Sequence, residues 1–161
     1  MKRTGFITAA LVFLFLSPSP AAITGQTIAQ NHPTASDYRR QGIYFYERQL
    51  YDQAVNQFEK ALRLKPDYPE ALNDLALTYG AMGRHKEAIE FLKKAIDYRP
   101  VFPEAHSNLG SEYYQIRDLN SAIASLREAI RLKPDYALAF NNLGAALSES
   151  GAPLEAISAY E

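Results

Sequence analysis

Three histidines, a scatter of carboxylates and a pair of asparagines are the residues of this chain that could do chemistry. His32, His85 and His106 show no metal-ligand spacing. His106 falls on an apolar stripe and reads as a packed core residue with a satisfied ring nitrogen. Glu87, Glu90 and Asp97 alternate with Lys86, Lys93 and Lys94, the pattern of a solvated helix face with paired charges. No phosphate loop or nucleophile motif accompanies them, so the sequence offers no catalytic constellation, no metal site and no cofactor site. Asn108 and Asn142 are different, because they lie 34 residues apart with Asp74 and Arg40 continuing the row. An asparagine amide both donates and accepts, so a ladder of them can hold the backbone of an extended peptide without reading its sequence.

The row exists because the chain repeats. Leu64 to Tyr68 returns as Leu132 to Tyr136, Pro100 stands midway between Pro66 and Pro134, and the period is 34 residues. A fixed period of this size marks stacked supersecondary units. With units starting at Ala35, Pro69, Pro103 and Ala137, the eighth position holds Gly42, Ala76, Gly110 and Gly144. The twentieth holds Ala54, Ala88, Ala122 and Ala156, and the twenty-seventh Ala61, Ala95 and Ala129. Large residues fill other columns, with Phe45, Tyr79, Tyr113 and Leu147 at the eleventh and Phe58, Leu92, Leu126 and Tyr160 at the twenty-fourth. Small columns let two helical backbones approach, and a bulky residue there would wedge them apart.

This pattern resembles the tetratricopeptide repeat, a 34-residue helix-turn-helix unit, and the resemblance covers residues 35–161. It implies an all-α fold, a right-handed α-solenoid of stacked helical hairpins. The frame divides the chain into repeats at 35–68, 69–102 and 103–136 and a partial fourth at 137–161. Gln41 and His106 depart from the family pattern, standing where Leu and an aromatic or Leu are usual.

Helix boundaries follow from local signals. Ser36 and Asp37 suit the N-terminus of the first helix, Asp52 is a candidate cap for the second, and Asn120 or Ser121 for the second helix of the third unit. Helices are expected near 70–82 and 86–98, with Gly83 and Gly151 ending first helices in the left-handed conformation. The fourth unit stops inside its second helix, leaving Ile157 and Tyr160 without a capping helix. Such an end predicts a fragment of a longer array, or self-association through that face.

Rotating each first helix by 100° per residue puts the fourth, seventh, eighth and eleventh positions on one side and the second, fifth, sixth, ninth and thirteenth opposite. In tetratricopeptide proteins the second set lines the concave groove. The resemblance therefore nominates Arg39, Arg40, Asn73, Asp74, Ser107, Asn108, Ser111, Asn141 and Asn142 as groove contacts for a protein or peptide ligand. Tyr46 and Tyr114 share the twelfth position near the groove end and could add aromatic contact. The family's clamp for acidic chaperone tails needs Lys at the second position, where Glu104 and Leu138 stand, so such tails are disfavoured.

Composition is that of an ordinary soluble globular domain. Apolar residues make up 47% and charged residues 22%, with a formal net charge of −1, and removing Lys2 and Arg3 leaves 15 basic against 18 acidic side chains. No basic stripe offers nucleic acid the phosphate contacts that it needs. Cysteine is absent, which excludes disulfides and thiolate chemistry.

The N-terminus has the layout of a secretory signal peptide, assigned to residues 1–22. Met1-Lys2-Arg3 precedes an apolar run of 11 residues from Phe6 to Leu16, well short of the ~20 that span a bilayer. Cleavage fits after Ala21 or Ala22, with Thr27-Ile28-Ala29 as another site, and residues 23–34 read as a flexible linker. The expectation is an exported, periplasmic or secreted, non-enzymatic scaffold that binds a peptide or protein segment. The alternative is the substrate-recruiting arm of a larger enzyme, such as a glycosyltransferase of the O-linked N-acetylglucosamine type, with its catalytic domain beyond Glu161.

Overall fold

The computed structural model describes residues 32–152; the expected signal peptide, most of the expected linker and the expected second helix of the fourth unit fall outside the described residues. Seven helices follow in order: α1 (Ala35–Tyr46), α2 (Tyr51–Leu64), α3 (Pro69–Ala81), α4 (His85–Tyr98), α5 (Pro103–Gln115), α6 (Leu119–Leu132) and α7 (Ala137–Glu149). Each packs against the next, and α1, α3, α5 and α7 also touch in succession, so the first helices of the units form one side of the stack.

The small columns are where the hairpins close. A Cβ added to Gly42 would stand 2.5 Å from the Phe58 ring, and one on Gly110 would stand 2.5 Å from Leu126 and 3.0 Å from the Ala122 carbonyl. The eighth position therefore seats the side chain at the twenty-fourth, and Ala54, Ala88 and Ala122 are wholly buried beside it. One apolar cluster runs from Ala54 to Leu109 and a second from Ala122 to Leu147, and Tyr113 packs against both. The core is thus a continuous column between the two layers of helices.

Every first helix ends in the same way. Position fifteen is left-handed in all four units, at Gln49 (φ 59°), Gly83 (φ 75°), Arg117 (φ 66°) and Gly151 (φ 85°). The next amide donates to the carbonyl of the large residue at position eleven: Leu50 to Phe45, Arg84 to Tyr79, Asp118 to Tyr113 and Ala152 to Leu147. That six-to-one bond is the Schellman closure, and it reverses the chain within a few residues.

The caps differ from those expected. Thr34 begins α1 and forms a reciprocal capping box with Asp37. Leu50 stands at the N-cap of α2 with no side-chain bond, because the Schellman turn starts the helix one residue before Asp52. Asp118, not Asn120 or Ser121, caps α6 by accepting from the Ser121 amide at 3.2 Å. Pro69 and Pro103 open α3 and α5, where a missing N–H costs nothing.

A cation at position thirty-one recurs at the end of each second helix. Lys65, Arg99 and Lys133 lie over the rings of Tyr68, Phe102 and Tyr136, each at 4.8 Å from the ring centre. Arg99 also pairs with Glu70 and Lys133 approaches Glu104 at 3.9 Å, tying the ends of the second and third hairpins to their beginnings. His106 is only half-buried at this edge, with Nε2 3.0 Å from the Pro100 carbonyl. Its ring nitrogen is satisfied, but it does not sit in the core as its stripe suggested.

Candidate functional site

The groove face is built from the sides of α1, α3, α5 and α7 that turn away from the second helices. Its polar residues are tied to one another on a diagonal, the fifth position of one unit to the sixth of the next. Arg39 Nε donates to Asp74 Oδ2 at 2.6 Å, and Asn108 Nδ2 donates to Asn73 Oδ1 at 2.9 Å. The third rung shifts, because Asn142 Nδ2 donates to Ser111 Oγ at 2.9 Å instead of reaching Ser107.

These bonds revise what the nominated residues can do. Ser107 is fully buried, so it does not face the groove. Its hydroxyl meets no partner within hydrogen-bond geometry, although the Tyr136 phenol is near enough for it to oppose the upward push that burial gives that phenol. Asn73 is buried too, 7% exposed, with its carbonyl committed to Asn108. Arg40 turns to the side and pairs with Asp37. Asn141 is exposed, while Asp74, Asn108, Ser111 and Asn142 are partly covered. Burial is the largest influence on Asp74 and raises its pKa, with the Arg39 hydrogen bond and charge opposing.

Two cavities open between the first helices. One, of about 270 Å³, is lined by Ile43, Tyr46, Glu47, Phe58, Asp74 and Leu77. The other, of about 160 Å³, is lined by Ser111, Tyr114, Gln115, Leu126, Asn142 and Ala145. Shifting the first set by two repeats gives the second set residue for residue. Each cavity takes positions nine, twelve, thirteen and twenty-four of one unit and six and nine of the next. The paired tyrosines visible in the sequence are the walls of these cavities, and Phe58 and Leu126 of the twenty-fourth column are their floors.

The equivalent place between α3 and α5 is occupied by the protein itself. Gly80 stands there instead of tyrosine, and the Glu112 carboxylate lies where a Cβ on Gly80 would be. His85 Nδ1 holds Glu112 Oε2 at 2.8 Å in a hydrogen bond that the carboxylate accepts. Among the described residues no group of three or more His, Asp or Glu side chains could hold a metal ion, and no helix is long and apolar enough to cross a membrane.

Stacked helical hairpins whose first helices form one side of the stack define a helical-repeat scaffold. A sequence model described as TPR repeat matches residues 42–83, 79–116 and 110–151, and the chain belongs to the tetratricopeptide repeat family. Solved structures agree. A crystal structure of MamA protein is 32% identical over 78% of this chain and 69% of its own, with a TM-score of 0.72. A thermophilic TPR protein of Thermus thermophilus is 27% identical over 78% and 71%, with a TM-score of 0.71. The first TPR of Spaghetti (RPAP3), bound to an HSP90 peptide, is 19% identical over 73% and 94%, with a TM-score of 0.72. No curated protein matches the chain.

Proposed function

We propose that the chain is an exported, non-catalytic scaffold that holds a peptide or protein segment in the groove formed by α1, α3, α5 and α7. The pair of apolar cavities rimmed by polar groups on that face carries the reading, since concave apolar sites with a few placed polar groups are what ligands occupy. A structural neighbour binds a peptide on the same fold, and export rests on the basic and apolar N-terminal layout. Ordinary protein segments fit this groove better than acidic tails, because Arg39 is already paired with Asp74 and Glu104 stands at the second position of its unit.

Photo-crosslinking in the native cell tests this directly. A crosslinking amino acid placed at Leu77 or Ala145 should give protein adducts in the exported fraction, and one at Glu90 or Lys94, exposed on the second-helix side, should give few. Adducts from the second-helix positions alone would move the binding face, and a precursor retained at full mass in the cytoplasm would remove export.

A further inference from the structure

The groove is a ruler with two marks, and the marks differ in chemistry. We propose that it takes an extended peptide segment carrying a basic side chain in the Tyr46 cavity and a small apolar side chain in the Tyr114 cavity, about five to six residues away. This rests on the groove reading above and narrows it to a ligand class.

The separation follows from the repeat. Packed helices lie ~8–10 Å apart, so cavities two repeats apart are separated by ~16–20 Å. Extended chain covers ~3.3 Å per residue, which sets the spacing at about five to six residues. A half spacing is closed off, because Glu112 fills the middle junction and is anchored by His85, with only 12% of the Glu112 side chain exposed. Asn108, the polar residue on that rim, is committed to Asn73.

The first cavity suits a long cationic side chain. Its walls, Ile43, Tyr46, Phe58 and Leu77, are apolar enough for an aliphatic stem, and two carboxylates stand on the rim. Asp74 is matched by Arg39, whereas Glu47 is exposed and makes no ion pair among the described residues, leaving one carboxylate for a ligand cation. In the second cavity the equivalent rim residues are the neutral amides Gln115 and Asn142. A charge there would be desolvated with no counter-ion, so an uncharged side chain is favoured, and the smaller volume suits a shorter one than the first cavity takes.

The probe is a phage-displayed library of random dodecapeptides selected on the full mature protein. It is followed by synthetic Gly/Ser peptides bearing one Arg and one Val about three, about six and about nine residues apart, read by fluorescence anisotropy. Enriched sequences should share a basic and a small apolar residue at one separation, and the six-residue peptide should bind at least about tenfold tighter than the others, as expected when two sites are bridged without strain. Glu47→Lys should exchange the basic preference for an acidic one and leave the apolar anchor in place. Ala145→Phe should remove the apolar anchor alone, with Gln115→Arg on the exposed rim as the second variant if the filled cavity disturbs α7.

No enriched sequence, or equal binding at all three spacings, overturns the ruler. If equal binding is still weakened by both variants, the groove reading stands without it. Peptides that bind unchanged to every variant overturn both.

Discussion

The α1/α3 and α5/α7 junctions are one construction made twice, two repeats apart, and they differ in where charge has been put. At the first, a guanidinium and a carboxylate meet over a phenylalanine floor. At the second, an amide and a hydroxyl meet over a leucine. The backbone frame is common to both, because the eighth-position glycine seats the floor residue in each case. Rim chemistry is therefore free to vary while the scaffold stays fixed, which is how one fold can serve unrelated ligands.

Truncating the floors gives the largest effect. Phe58 is 1% exposed and Leu126 is fully buried. Phe58→Ala should cost about 3–5 kcal/mol and Leu126→Ala about 2–5 kcal/mol, because the glycine opposite cannot move in to fill the space. Denaturant unfolding followed by circular dichroism measures both. Phe58→Leu, which gives the first junction the floor of the second, should cost much less than Phe58→Ala. Equal losses from Leu and Ala would mean that ring shape, not buried volume, holds the first junction.

Charge gives the next effect. Arg39→Met leaves the Asp74 carboxylate half-enclosed without its cation, and with 29% and 16% of the two side chains exposed the loss should be about 1–3 kcal/mol at neutral pH. Asn142→Ala removes one neutral bond and should cost about 0.5–1.5 kcal/mol. The two are separable by pH. Burial raises the Asp74 pKa above its unfolded value, so folding favours the protonated acid. That contribution is complete below the unfolded pKa and is lost as pH rises through the folded one. The Arg39→Met defect should therefore shrink toward acid as Asp74 takes up its proton, while the Asn142→Ala defect stays constant. A flat difference for both variants would show that Asp74 is not ionised alone in the mutant.

The repeat frame, the all-α class and the tyrosine pair were legible because spacing alone carries them, and a 34-residue column needs no tertiary knowledge. The diagonal bonds were not, because no single column shows them: Arg39 meets Asp74 and Asn73 meets Asn108 across adjacent columns. Treating each helix as a lone cylinder also put Asn73 and Ser107 in the groove. The fifth position is in fact covered by the first helix of the next unit, and Asn141, which no described helix covers, remains exposed. Glycine announced two of the left-handed turns. Gln49 and Arg117 gave no such signal, since the common Schellman closure imposes the conformation on whatever residue stands there.

Those two turns supply the finest contrast between the junctions. A left-handed residue with a Cβ costs roughly 1–2 kcal/mol relative to one without, so glycine at either site should relieve strain, less the extra freedom glycine gives the unfolded chain. Gln49 makes no side-chain bond among the described residues, and the place equivalent to Glu149 across its junction is Ala81. Arg117 instead reaches α7 and pairs with Glu149. Gln49→Gly should thus raise stability by up to about 1 kcal/mol, whereas Arg117→Gly should gain less, because a pair with 70% and 28% of its side chains exposed is worth up to about 1 kcal/mol. High salt should narrow the gap by weakening the pair in the wild-type chain. Equal gains at low salt would show that Arg117 contributes nothing to holding α7, and the second junction would then rest on its floor and its amide alone.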